Sequence, residues 1–311
     1  MSETTSLAGR AAVVTGAGAG LGRAEALALA ARGADVVVND MGPAADAVVD
    51  EIKALGRQAI AVTGDVGDWG LGDRLVQAAV ETFGSLDIVV NNAGVLRDTM
   101  LFNLTEPEWD DVLRVHLKGH ASVSRAAAAH WRKASKSAGG PVYGRVIDTT
   151  SEAFLFGAAG QPNYSAAKAG ITALMLSTAQ GLSRYGVRTN AICPRARTSM
   201  TAHVFADDPQ DDAHLDILAP ERVGTFVSYL ASPAADEING QVFVVYGDMI
   251  ALLAAPTVEQ KFTAADGTFS VEEIEEKVTP YFSGRSPYHN YAAYSVAQLD
   301  TTGIENVAGT H

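Results

Sequence analysis

A run of glycines between two apolar stretches constrains this chain more than any other feature. Residues 10–40, RAAVVTGAGAGLGRAEALALAARGADVVVND, read as a strand, a glycine turn, a helix and a second strand, the order of a βαβ unit. Gly16, Gly18, Gly20 and Gly22 fill the turn, with Leu21 among them. Glycine there permits positive φ, lets the backbone approach a pyrophosphate closely, and leaves the N-terminus of the next helix facing that negative charge. The spacing is G-x-x-x-G-x-G and not the commoner G-x-G-x-x-G.

Asp40 ends the second strand, eighteen residues past Gly22 and close to the ~20 expected of an acid that binds ribose hydroxyls. Its carboxylate would repel a 2′-phosphate. Neither Ala19 nor Met41 offers a compensating positive charge, so the expected cofactor is NAD and not NADP.

Tyr164 and Lys168, in QPNYSAAKAG, share one helix face, and Ser151 lies thirteen residues upstream of the tyrosine. An unperturbed tyrosine titrates near ~10, and a neighbouring ammonium favours the phenolate, so Lys168 is expected to lower the value for Tyr164. A serine hydroxyl can hold a substrate oxygen on which charge develops. The three residues outline proton transfer in alcohol/carbonyl interconversion. A Tyr-x-x-x-Lys pair alone is common on helix surfaces. Its weight comes from the glycine turn in the same chain.

Apolar runs recur at AIAVTGDV, LDIVVNNAG, GRVIDTTS, VRTNAICP and QVFVVYG, each followed by a polar turn or helix. That alternation predicts an α/β fold, a Rossmann-like doubly wound parallel sheet with helices on both faces. The 311 residues, 47% of them apolar with 30 glycines, suit one such unit over 1–253 and a C-terminal extension over 254–311. The segment from Arg132 to Gly144, rich in Lys, Ser and Gly, is expected to be a surface loop.

The ordered set of Thr15-Gly16-x3-Gly20-x-Gly22, GDV around Asp65, NNAG at 91–94, Ser151 and Tyr164-x3-Lys168 resembles the short-chain dehydrogenase/reductase family over residues 8 to about 248. The resemblance implies that Asp65 and Val66 hold the adenine. It also implies that the turn with Asn92, Ala93 and Gly94 supports the cofactor side of the sheet, and that Lys168 bonds the nicotinamide ribose. VVVND, NAGVLRD, RVHLKG and GQPNYSAAK resemble more closely the dehydrogenase unit of peroxisomal multifunctional enzyme type 2 and its bacterial relatives. The substrate so implied is a (3R)-hydroxyacyl-CoA. Free hydroxysteroids or cyclic alcohols are the alternative within the enzyme class, and a non-catalytic NAD(H)-binding regulator is the alternative outside it.

Two positions depart from the family pattern. His116 stands where most members carry an Asn that supports a water relay behind the lysine; it can serve that relay or simply bond a backbone carbonyl. Pro194-Arg195 replaces the usual Pro-Gly beside the nicotinamide, and Thr198 or Ser199 lies where the family bonds the carboxamide. Arg195 and Arg197 can hold an anionic substrate group or pair with the acidic segment at 206–216.

No metal site is expected, because neither His203 and His214 nor Asp65 and Asp68 have ligand-like spacing. The lone Cys193 excludes an internal disulfide framework. A formal charge of −13 argues against nucleic acid or an anionic membrane as partner. The polar start MSETTS and the lack of a long apolar run suggest a cytoplasmic protein. The resemblance implies a homotetramer or homodimer. In the extension, Ser270 and Glu273 form a capping-box pattern, and Tyr281, Phe282, Tyr288, Tyr291 and Tyr294 are packing candidates.

Overall fold

A computed structural model describes residues 3–198, 200–201, 215–286, 290–297 and 299. The readings placed on Ser199, His203, His214, Tyr288, residues 206–214 and residues 301–311 fall outside it.

The chain alternates strand and helix. β1 (Ala11–Thr15), α1 (Gly20–Ala31), β2 (Asp35–Asp40), α2 (Ala44–Ala54), β3 (Ala59–Thr63), α3 (Leu71–Phe83) and β4 (Ile88–Asn91) make the first half. α4 (Glu106–Leu113), a π-helical turn at Arg114–Lys118, α5 (Gly119–Ala138), β5 (Gly144–Thr149), α6 (Ala153–Phe156), α7 (Pro162–Leu182) and β6 (Val187–Pro194) follow. α8 (Pro220–Leu230), β7 (Val242–Tyr246), β8 (Met249–Leu252), α9 (Val271–Phe282) and α10 (Tyr294–Ala297) complete it.

The eight strands form one sheet in the order β3-β2-β1-β4-β5-β6-β7-β8, parallel except for β8, which pairs antiparallel with β7. The sequence reading stopped the sheet at β7. A four-residue strand with alternating half-buried and exposed side chains gives too short a pattern to recognise. Alternation of side chains along each strand divides the core in two. Val14, Val38, Val90, Ile147 and Ile192 face α1, α2 and α8. Val13, Val37, Val89 and Val146 face α3 and α5 on the other side. Each fully buried valine or isoleucine contributes roughly 1.5–3 kcal/mol, so the strands' apolar runs specify both layers.

The expected loop at 132–144 is helical as far as Ala138. Buried Trp131 anchors the last turns of α5 against the sheet, buried Ser135 donates to the Gly140 carbonyl at 2.7 Å, and Gly139 ends the helix with φ +69°. Tertiary packing overrides the weak helix preference of the serines. Ser270 does cap α9, accepting from the Glu273 amide at 3.1 Å, but the Glu273 carboxylate turns instead to Lys277 and the Ala265 amide. Among the described residues no helix is long and apolar enough to cross a membrane, and no group of three His, Cys, Asp or Glu gathers as a metal site would.

Candidate active site

The strand order reverses between β1 and β4, and a cleft opens there at the carboxyl ends of the strands, where ligands of doubly wound sheets bind. A cavity of about 310 Å³ fills it. Gly16, Gly20, Leu21, Asp40, Asp65, Val66, Asn92, Ala93, Gly94, His116, Ser151, Tyr164, Lys168, Pro194 and Thr198 all line it. Of the glycine turn picked out from the sequence, Gly18 and Gly22 are not in its wall.

Those two glycines shape the turn from behind. Gly16 adopts φ +62°, and a Cβ on it would lie 2.8 Å from Ala93 Cα. At Gly22 a Cβ would meet the Gly16 carbonyl at 2.4 Å. Asn92 stitches the turn to the end of β4: its side-chain amide donates to the carbonyls of Thr15 and Gly16 at 3.1 and 3.2 Å. The Gly18 amide donates to Asp40 Oδ2 at 2.9 Å, and the Met41 amide to Oδ1 at 2.7 Å. The acid is therefore held as a fixed acceptor at one end of the cavity.

Asp65 is more tightly engaged than the sequence indicates. Gly67 N–H donates to one oxygen at 2.8 Å and Arg114, in the π-helical turn, to the other at 2.5 Å. Burial pushes the carboxyl up, but the Gly67 amide and Arg114 outweigh it and leave it below its ordinary value. Arg114 also holds Asp111 at 2.9 Å. Nothing in the sequence marked Arg114 as a partner of Asp65, which is forty-nine positions away.

Ser151, Tyr164 and Lys168 meet at the other end of the cavity. Ser151 follows β5, and Tyr164 and Lys168 lie on the first turns of α7, started by Pro162. Lys168 is fully buried and donates to the Thr149 carbonyl at 2.6 Å; its ammonium is 5.3 Å from the centre of the Tyr164 ring. The expected lowering of Tyr164 is not what these surroundings give. Burial pushes its hydroxyl up to about 12, against the opposing pull of the Ser151 hydrogen bond. The same burial pushes Lys168 down to about 7. Desolvation dominates at both groups because each charged form loses water.

His116 faces this triad. Its Nε2 lies 2.8 Å from the Val95 carbonyl and 3.0 Å from the Val95 amide, and its ring meets Tyr164 edge-on at 5.2 Å. Burial, and then the Lys168 charge, hold it well below its ordinary value, so the ring is neutral. Of the two roles open to it, the backbone bond is made, through Nε2. Behind it lies a cluster the sequence reading missed. His120 is fully buried and pushed down to about 3, and Asp148, accepting from Asn91 at 2.8 Å, is pushed up to about 7, burial being the main cause in both. The spacing of four between His116 and His120 was the available signal.

Neither arginine lines the cavity. Arg195 pairs with Glu152, and Arg197 donates to Asp216 at 3.0 Å, within the acidic segment proposed for it. The anion-binding reading of Arg195 is not supported by this pairing, since the side chain is buried outside the cavity wall and its Nε–Nη2 edge is taken by Glu152. Thr198 lines the cavity, with its amide donating to Thr201 Oγ1 at 2.9 Å.

Continuous lining from Asp40 past the glycine turn to Tyr164, in a cradle that side chains would fill at Gly16, suits an extended dinucleotide. The sequence pattern described as short chain dehydrogenase matches residues 10–209. Hydroxyacyl-CoA dehydrogenase ChsB1 of Mycobacterium tuberculosis is 53% identical over 299 residues, covering 94% of each chain. Peroxisomal multifunctional enzyme type 2 of Mus musculus is 41% identical over 76% of this chain, which spans 31% of that protein. The crystal structure of a short chain dehydrogenase from Mycobacterium avium superposes with a TM-score of 0.80 at 43% identity, covering 90% of this chain and 97% of that one.

Proposed function

Because this chain belongs to the short-chain dehydrogenase family, and is thus an oxidoreductase acting on CH–OH groups, we propose that it interconverts a (3R)-hydroxyacyl-CoA and its 3-keto form with NAD. One observation carries the reading: a single cavity joins the Asp40 carboxylate to Ser151, Tyr164 and Lys168. Residues 1–253 are the cofactor-binding unit and 254–311 an extension of it.

In this reading the glycine turn, Asp40, Val66 and the Asn92–Gly94 turn hold NAD, which when bound supplies a hydride acceptor. Asp40 disfavours a 2′-phosphate, and among the described lining residues Lys168, at the opposite end, is the single cation. Ser151 Oγ donates to the substrate oxygen and fixes it beside Tyr164. Tyr164 Oη, as the phenolate, takes the alcohol proton in oxidation and gives it back in reduction, and Lys168 stabilises that phenolate across the short gap to the ring. A hydroxyl pushed up to about 12 keeps its proton until charge arrives beside it. His116 keeps the Gly94–Val95 backbone in place. The CoA assignment is supported by likeness to the hydroxyacyl-CoA dehydrogenase of Mycobacterium tuberculosis.

NAD reduction by the purified protein, with a panel of (3R)-hydroxyacyl-CoA thioesters, free hydroxysteroids and simple secondary alcohols, tests the proposal; NADP is run in parallel. Turnover of the thioesters with NAD is the expected result. Turnover of the free alcohols alone removes the CoA assignment, and tight NAD binding with no turnover favours a regulator. A homo-oligomer is proposed as well, to be read by sedimentation.

A further inference from the structure

Arg195 is 5% exposed and makes three donations. Nε and Nη2 grip Glu152 Oε2 and Oε1, each at 2.7 Å, and Nη2 also donates to the Val296 carbonyl at 2.9 Å. These bonds join three segments distant in sequence: the end of β6, the residue after Ser151, and α10 near the far end of the chain. A second bond repeats the link without the arginine, from the Ala293 amide to the Leu155 carbonyl at 2.8 Å. Val296 is buried against Cys193 and Val244, with Phe154, Leu155 and Ala293 packed around the same cluster.

The α6 segment so gripped controls two of the reacting groups. Ser151 Oγ accepts from the Ala153 amide at 3.2 Å, and the Ala153 carbonyl accepts from Ser165 Oγ, beside Tyr164, at 3.1 Å. Four residues of helix have little stability of their own, so α6 keeps its place through what packs on it. A buried ion pair adds little net stability over apolar filling, but its two-pronged geometry fixes register.

We propose that residues 293–296 form a strap that holds α6, and through it Ser151, in register for reaction, with Arg195 as the positioning residue that locks the strap. This rests on the reading of Ser151 as the donor to the substrate oxygen.

The test uses the full chain and three variants: Arg195→Met, Ala293→Pro, and the double Glu152→Met/Arg195→Met. Ala293→Pro removes the Leu155 bond and leaves the ion pair intact. Steady-state kinetics, NAD affinity, thermal midpoint and amide exchange over 153–157 are read for each. Arg195→Met and Ala293→Pro are expected to lower kcat by about tenfold or more and to speed exchange over 153–157 by a similar factor, with NAD affinity within about twofold. The double variant, free of an unpaired charge, is expected to regain the midpoint but not kcat. Recovery of kcat with the midpoint would reduce the pair to a stability element and overturn the proposal. So would faster exchange with unchanged kcat, or NAD affinity falling in step with kcat. If the wild type turns over no alcohol while strap variants still loosen 153–157, the functional reading fails and the mechanical link stands; if exchange there is unmoved, the link itself fails.

Discussion

Lys168 directs its ammonium at the Thr149 carbonyl, 2.6 Å away, while lying 5.3 Å from the centre of the Tyr164 ring. The lysine thus supports the tyrosine through space and does not hydrogen-bond it. Tyr164→Phe keeps that packing and removes only the ionisable oxygen. It is expected to lower kcat by about 10²–10⁴-fold, the usual contribution of a positioned acid–base group, while NAD affinity is unchanged. Stopped-flow turnover together with a calorimetric NAD titration decides this; a parallel loss of affinity would place the tyrosine in binding and not in proton transfer.

Asp40 is fixed by the amides of Gly18 and Met41 before any ligand arrives. Asp40→Ala removes a charged acceptor worth about 1.5–3 kcal/mol, or roughly 10–100-fold in NAD affinity. Affinity for NADP is expected to rise relative to NAD, because the repulsion of its phosphate disappears. Equilibrium titration with both cofactors measures the ratio, and an unchanged ratio would show that Asp40 does not discriminate.

The parts of the fold legible in the sequence were those set by local chemistry. The valine-rich runs of β1, β2 and β4 marked strands, and Gly16 marked the turn that needs a positive φ. What escaped depends on contacts made only by folding. Helix α5 continues through a Lys- and Ser-rich stretch because Trp131 and Ser135 are buried beneath it. Glu152 and Arg195 lie forty-three positions apart, so no periodicity links them. The ionisation of Tyr164 did not follow from its motif, since burial, which no motif shows, is the main cause that sets it.

Gly94 and His116 are packed with no room between them. A Cβ at Gly94 would stand 2.4 Å from His116 Cε1, and the ring cannot retreat because Nε2 is bonded to Val95 and its far side meets Tyr164. Gly94→Ala is expected to cost about 1–3 kcal/mol of stability and to weaken NAD binding as the Asn92–Val95 turn shifts. Urea unfolding and NAD titration test both parts. Full stability in this variant would mean that the turn yields freely and that His116 does not hold it.

Glu25, in α1, is fully buried, and neither carboxyl oxygen has a hydrogen-bond partner. Burial pushes it up to about 8 from an ordinary 4.5. The folded protein therefore keeps this proton until about pH 8, whereas the unfolded chain releases it near 4.5. Between those values the folded state binds more protons, so stability is fully present below pH 4.5 and falls as pH rises through about 8. At 1.36 kcal/mol per pH unit over the interval 8 − 4.5, the loss is at most roughly 5 kcal/mol. Glu25→Gln keeps the shape and removes the titration. Urea unfolding at pH 5, 6.5 and 8 is expected to show a slope for the wild type that the variant flattens, and equal slopes would mean that the carboxyl finds water or a partner on ionising.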